Sequence, residues 1–257
     1  MLTLFVAELK RSWILLKRYA TETISLVIGT TIIFYGLFMS AQYIVGSSSQ
    51  FGDRLDSIIV GYVLWSLTLF ILGDIAGGLQ REAQTGTLEQ LFLSPFGAPR
   101  VFLTRAIANL TTQLTINLVI LSLILVLTGS QLAFPPLLLL PLLTVLFGAY
   151  GISLAMGSLA LLVKQVQQLL GIFQFALLFV LTVPVESWVG GTRWLGWLLP
   201  MTPGAGLLRE LMARGQGLDW QLFAIALLNG GSYFILGLYL FRYAEREAKH
   251  RGKLSGY

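Results

Sequence analysis

Long apolar runs separated by short polar breaks dominate the chain, without the period-2 alternation of membrane β-strands. Six runs stand out: Ile24–Val45, Ile58–Leu79, Ala106–Thr128, Leu137–Leu162, Val166–Val185 and Leu222–Phe241. Each has about the 20 residues that a helix needs to cross a hydrocarbon core of roughly 30 Å. Backbone N–H and C=O groups find no partner in lipid, so each run must satisfy its own by coiling into a helix. The pattern predicts an all-α membrane protein, a single domain of six transmembrane helices over residues 1–257.

Composition agrees with this picture. Hydrophobic residues make up 56% of the chain and charged residues only 11%, less than half the roughly 25% usual in soluble domains. Cysteine is absent and His250 is the one histidine, which excludes disulfides and thiolate chemistry and leaves little for imidazole chemistry. The formal charge of +5 is best read by side of the membrane. Lys10, Arg11, Lys17, Arg18, Arg81, Arg100, Arg105, Lys164, Arg242, Arg246, Lys249, Arg251 and Lys253 share one side, while Arg54, Arg193, Arg209 and Arg214 lie on the other. The positive-inside bias predicts that both termini are cytoplasmic, and it explains the charge without a nucleic-acid partner.

Three segments between and before the runs carry structure of their own. At 100° per residue, Leu2, Phe5, Val6, Leu9, Trp13 and Leu16 fall within about a 100° arc, with Lys10, Arg11, Lys17 and Arg18 on an adjoining one. That predicts an N-terminal amphipathic helix along the cytoplasmic membrane surface, and no cleavable leader, since a basic start, apolar core and small-residue site are missing. The second loop holds REAQTGTLEQLFLSPFGAPR, residues 81–100. Glu82 to Leu93 can form a short helix with Leu88, Leu91 and Phe92 on one face, interrupted at Gly86-Thr87 and ended by Ser94-Pro95. Such a helix suits a groove on a cytoplasmic partner, or merely covers the end of the bundle. Glu186–Leu218 has too many Gly and Pro residues to span, yet Trp188, Trp194 and Trp197 suit a membrane interface, so short helices dipping into the outer leaflet are expected.

Glu82, Gly86-Thr87-Leu88-Glu89, Leu91 and Ser94-Pro95, set between the second and third of six spans, resemble the cytoplasmic loop of type-2 ABC transporter permeases. These are the membrane subunits of ATP-binding-cassette exporters. The likeness extends to length, span number, amphipathic N-terminus and the long outer segment. It implies that Glu82, Gly86, Thr87, Leu88, Glu89, Leu91, Ser94 and Pro95 form a coupling helix seated on an ATPase subunit. It further implies two cytoplasmic ABC ATPase subunits using ATP and Mg, a second permease chain as homodimer or heterodimer, and a plasma-membrane location among lipids. Pro184, Pro200, Pro203 and Arg209 also fit the family's outer segment, whereas Thr202 stands where Asn is common.

The phosphate-cradling pattern Gly-x-x-x-x-Gly-Lys-Ser/Thr is absent: the one Gly-Lys pair, Gly252-Lys253, is followed by Leu254. The chain is therefore expected not to be an enzyme by itself and to bind no cofactor or metal, with ATP hydrolysis supplied by its partner. A drug-like amphiphile or lipid is the expected substrate on the family resemblance, with a polysaccharide or glycolipid as the alternative. A stand-alone secondary carrier or channel would normally show internal repeats or buried midplane charge, which the spans lack. An intramembrane enzyme would need a nucleophile pair or metal cluster in the spans, which is also missing.

Polar groups inside spans are costly and so become candidates for pathway or helix-packing roles. Asp74 sits near the cytoplasmic end of span two, where Arg105 or Lys164 could pair with it, and Gly73 and Gly77 make a small-residue face beside it. In span three, Asn109, Gln113 and Asn117 recur every four residues and line one face, which should point at another helix or a wet cavity. Gln174 in span five is of the same kind, and Ala149, Ser153 and Gly157 give span four a small-residue packing face. Phe34, Tyr35 and Phe38, or Phe173, Phe175 and Phe179, could line a path or simply face lipid and core.

Overall fold

A computed structural model describes residues 2–45, 49–85, 98–162, 167–184 and 193–250. The regular structure among them is entirely helical: α1 (Leu2–Arg18), α2 (Ala20–Val45), α3 (Ser49–Thr85), α4 (Ala98–Thr128), a 3₁₀ turn (Pro136–Leu138), α5 (Leu139–Leu162), α6 (Gln167–Thr182), α7 (Arg193–Leu198), α8 (Thr202–Met212) and α9 (Trp220–His250). Several hydroxyls within the apolar helices are satisfied locally. Thr31, Ser122 and Thr128, for example, each donate to the carbonyl four residues back at 2.8 Å.

The ends of the helices follow from identifiable residues. Gly129, at φ 71°, takes the left-handed conformation that stops α4, and its N–H donates to Leu125 O at 2.9 Å. Pro136 opens the 3₁₀ turn leading into α5, a position where its missing N–H costs nothing. Asp219 caps α9 by accepting from the backbone N–H groups of Gln221 (2.8 Å) and Leu222 (3.2 Å).

Among the described residues, five helical stretches are long and apolar enough to cross a membrane: Ala20–Ser40, Leu55–Leu79, Thr104–Thr128, Pro136–Leu161 and Trp220–Glu247. These coincide with five of the six expected runs. Of the sixth run, expected over 166–185, the described part forms α6, 16 residues or about 24 Å at 1.5 Å per residue, and the residues at both ends of the run lie outside the described residues.

Two helices form the centre. The spans within α3 and α5 are 56% and 50% buried inside the bundle, against 17–22% for the other three. The other three spans therefore pack around an α3–α5 pair and keep much of their surface outward. Ala149, Ser153 and Gly157 do form a buried packing face on α5, with Gly157 against Leu79, Ile75 and Ala76 of α3. Among the described residues nothing lies within 4 Å of a Cβ built on Gly73 or Gly77. Ala76, between them, makes the contact instead.

Helices α5 and α9 approach closely. A Cβ on Gly237 would run into the backbone of Gly151, and one on Gly151 into the backbone of Tyr233. Glycine at both positions lets the two backbones touch.

Candidate functional site

Three groups of polar side chains sit at successive depths along α3. Ser57 and Asp74 are 17 residues apart, about 25 Å along the helix, so they mark opposite ends of a span. Ser66 is midway.

At the Asp74 end, the Asn109 amide Nδ2 donates to both carboxylate oxygens of Asp74, each at 2.9 Å. The Asn109 carbonyl Oδ1 in turn accepts from the Ser12 hydroxyl at 2.7 Å. Three helices, α1, α4 and α3, are thereby joined through side chains. One turn back along both α1 and α4, Glu8 faces Arg105, with carboxylate and Nε 3.9 Å apart, and Glu8 also accepts from Arg11 at 3.1 Å. The Tyr150 hydroxyl of α5 donates to Ala106 O at 3.1 Å in the same region. Asp74 thus engages Asn109, while Arg105 reaches Glu8; Lys164 lies outside the described residues.

Midway along the span, buried Asn117 meets α3. The orientation that satisfies its carboxamide donates Nδ2 to Val63 O (3.1 Å) and accepts from the Ser66 hydroxyl and the Leu67 N–H (2.9 Å each). Gln113, between Asn109 and Asn117, has its Oε1 buried with no hydrogen-bond donor among the described residues. The expected polar face of span three therefore exists and turns toward α3, with Asn109 and Asn117 bonded there. Gln174 contributes its backbone: its carbonyl accepts from Trp65 Nε1 at 2.8 Å.

Beside Asn117 an apolar cleft of about 120 Å³ opens between α3, α4, the 3₁₀ turn and α8. Leu64, Leu67, Leu114, Leu121, Leu138 and Leu208 are among its lining residues. Of the aromatic candidates, Phe34 is buried against Tyr62, ring centroids 5.0 Å apart, whereas Phe175 and Phe179 stack edge to face on the outside of α6.

At the Ser57 end, α8 is buried along Thr202–Arg209 and again at Leu211 although it has only 11 residues. Arg209 is 1% exposed. Its Nε donates to Ser57 O at 3.1 Å and its Nη2 to Leu181 O, tying α8 to the starting turn of one span and the last turn of α6. A cation is well placed there, since the final carbonyls of α6 lack intrahelical donors. Thr202 donates through its hydroxyl to Gly196 O and to Leu199 O, the latter at 2.8 Å. Thr202, the departure from the expected family pattern, therefore still supplies a polar clasp.

Sequence reasoning missed two residues here, Asn229 and Tyr233. Asn229 accepts from the Met201 N–H (3.1 Å) and donates to Trp197 O (2.8 Å) and Leu199 O (3.1 Å), while the Tyr233 hydroxyl donates to Leu198 O at 2.9 Å. Together they fasten α7 and the left-handed Met201 (φ 64°) to α9. The available signal was Asn229 itself, a lone carboxamide inside an apolar run beside Gly230-Gly231.

Of the proposed coupling residues, Gly86, Thr87, Leu88, Glu89, Leu91, Ser94 and Pro95 lie outside the described residues, and Glu82 is placed only as part of the α3 backbone. The segment that holds them is bounded by the ends of α3 and α4, the helices joined by Asp74 and Asn109. Among the described residues no group of three or more His, Cys, Asp or Glu side chains could hold a metal.

No curated protein matches the chain. The family model for the ABC-2 type transporter matches residues 3–213, from the amphipathic α1 through the buried α8. The chain belongs to the ABC-2 type transporter family, and it is a multi-pass membrane protein, the transmembrane subunit of an ABC transporter.

Proposed function

We propose that the chain is the permease of an ATP-driven type-2 ABC exporter, crossing the plasma membrane six times with both termini in the cytoplasm. The observation that carries this reading is the family match across residues 3–213, combined with five full-length apolar helices and a sixth, shorter one, Gln168–Thr182. On this reading the short α6 crosses together with its flanking residues. The Asp74 end of the bundle is cytoplasmic, α1 lies at that membrane surface, and α7 and α8 dip into the outer leaflet. Exposed Val6 and Trp13 on α1 lie on the apolar face that an interfacial helix needs.

ATP and Mg are used by separate ATPase subunits, two per complex, and a second permease chain completes the pathway. Glu82, Gly86, Thr87, Leu88, Glu89, Leu91, Ser94 and Pro95 form the contact with the ATPase, and the chain itself is not an enzyme. The substrate is an amphiphile, drug-like or lipid, a class that the apolar cleft beside Asn117 supports; its apolar part would be stabilised there by about 25 cal/mol for each Å² removed from water.

The test is at the loop. Glu89→Lys or Leu91→Asp should weaken copurification of the ATPase or uncouple its ATP turnover from transport, while the chain still inserts into the membrane. Unchanged copurification and transport in both variants would refute the coupling assignment.

A further inference from the structure

Asp74 stands 11 residues before the end of α3 at Thr85, and Asn109 stands 11 residues after the start of α4 at Ala98. Each is about 16 Å from the segment that joins the two helices. Their side chains therefore clamp α3 to α4 at one level above that segment, like a crossbar between two uprights. The third member, Ser12, is buried and comes from α1.

The polarity of this chain of groups is fixed. Asn109 presents its N–H₂ to a carboxylate and its carbonyl to a hydroxyl; turning the amide over would set a carbonyl oxygen against the Asp74 oxygens. The carboxylate thus orients Asn109, and Asn109 orients Ser12. Every group in the chain is at least partly withdrawn from water, so separating Asn109 from Ser12 or Asp74 costs its carboxamide a sheltered hydrogen bond. The register reinforces the link: Glu8 and Ser12 on α1 face Arg105 and Asn109 on α4, one helical turn apart on both helices. Two contacts at a matched spacing resist sliding as well as separation.

We propose that Ser12, Asn109 and Asp74 are positioning residues that make α1, α3 and α4 move as one body when the α3–α4 segment is displaced. The inference rests on the reading that this segment receives the ATPase. It adds that the displacement is carried to the N-terminal helix by this side-chain bridge rather than by the α1–α2 backbone.

The chain contains no native cysteine, so spin labels can be placed without background. Lys10→Cys on α1 and Leu127→Cys near the far end of α4 are both exposed and outside the bridge. In the complete permease–ATPase complex, the Lys10–Leu127 distance distribution should be narrow and unchanged between the nucleotide-free state and the state trapped with ATP and vanadate. Ser12→Ala removes only the α1 end of the bridge, and Asn109→Ala removes its centre; each should widen or shift the trapped-state distribution while ATP hydrolysis continues. Exchanging the pair as Asp74→Asn with Asn109→Asp restores a carboxamide donor facing a carboxylate and leaves Ser12 an acceptor, so it should return the narrow distribution.

Wild-type-like distributions in Ser12→Ala and Asn109→Ala would overturn the bridge, as would failure of the exchanged pair to narrow the distribution again. If those variants behave like wild type while Glu89→Lys still disrupts the ATPase contact, the bridge alone is wrong. If Glu89→Lys and Leu91→Asp both leave copurification and transport unchanged, the coupling assignment falls first and the bridge loses its role with it.

Discussion

At the scale of single residues, the most demanding feature is a guanidinium buried in a chain built for lipid. Burying a charge without partners is prohibitive, yet Arg209 is 1% exposed and survives because backbone carbonyls of two other helices receive its N–H groups. Arg209→Met would leave Ser57 O and Leu181 O short of these donors, at about 1–3 kcal/mol for each unmet buried group. We expect a clear fall in thermal midpoint and monodisperse yield in detergent, with Arg209→Lys intermediate because an ammonium cannot reproduce the planar fork. A Met variant as stable as wild type would refute the account. Gly61 belongs to the same junction: a Cβ there would meet Leu181 O and approach Arg209 Nη2 to 2.8 Å. Gly61→Ala should therefore destabilise by about 1–3 kcal/mol, the usual cost of overpacking, despite the gain in helix propensity that alanine brings. The arginine was visible in the sequence, but its burial was not, because hydropathy scores a charge by type and takes no account of carbonyls delivered by other helices, 152 residues away at Ser57 and 28 at Leu181.

Among the helices, the apolar runs made five spans legible to within a few residues, since the hydrocarbon thickness fixes length whatever the packing. Packing faces were less accessible. The small-residue face of α5 at Ala149, Ser153 and Gly157 lies against α3, as a packing role requires, but α5 has a second such face, where Gly148 meets Met201 and Gly151 meets α9. Which glycines are needed depends on the crossing point of two helices, and one strand of sequence does not contain that. The structure therefore separates neighbouring glycines of α9 by effect. Gly237→Ala places a methyl group against the Gly151 backbone and should lower stability, whereas Gly231, with nothing within 4 Å of a built Cβ, should accept alanine with no loss and a gain approaching about 1 kcal/mol from helix propensity. Chemical denaturation of the two single variants measures the contrast; equal effects would mean that the α5–α9 contact is looser than the backbone geometry requires. The burial of α8 was hidden for a related reason. Gly204 and Gly206 lower its apparent apolarity, and Gly204 is also what allows α8 to lie against Thr144 and Val145 of α5.

For the molecule as a whole, the distribution of charge along the sequence carries the proposed orientation. Thirteen of the 17 Lys and Arg residues fall in the N-terminal segment, the second and fourth loops and the C-terminal tail, the bias expected of cytoplasmic segments. The count of crossings is linked to this, because α6 is shorter than the bilayer core. If α6 crosses with its flanking residues, the number of spans is even and both ends of the chain share a side; if it does not, they lie on opposite sides. Single cysteines introduced into the cysteine-free chain distinguish the cases directly. Lys10→Cys and Arg246→Cys should resist a charged, membrane-impermeant maleimide in intact cells and react once the membrane is opened, whereas Gln131→Cys and Gln216→Cys, exposed at the other end, should react without permeabilisation. Labelling of Arg246→Cys but not Lys10→Cys in intact cells would remove α6 from the set of spans. Labelling of both, with Gln131→Cys protected, would invert the molecule and place the α3–α4 segment out of reach of any cytoplasmic ATPase.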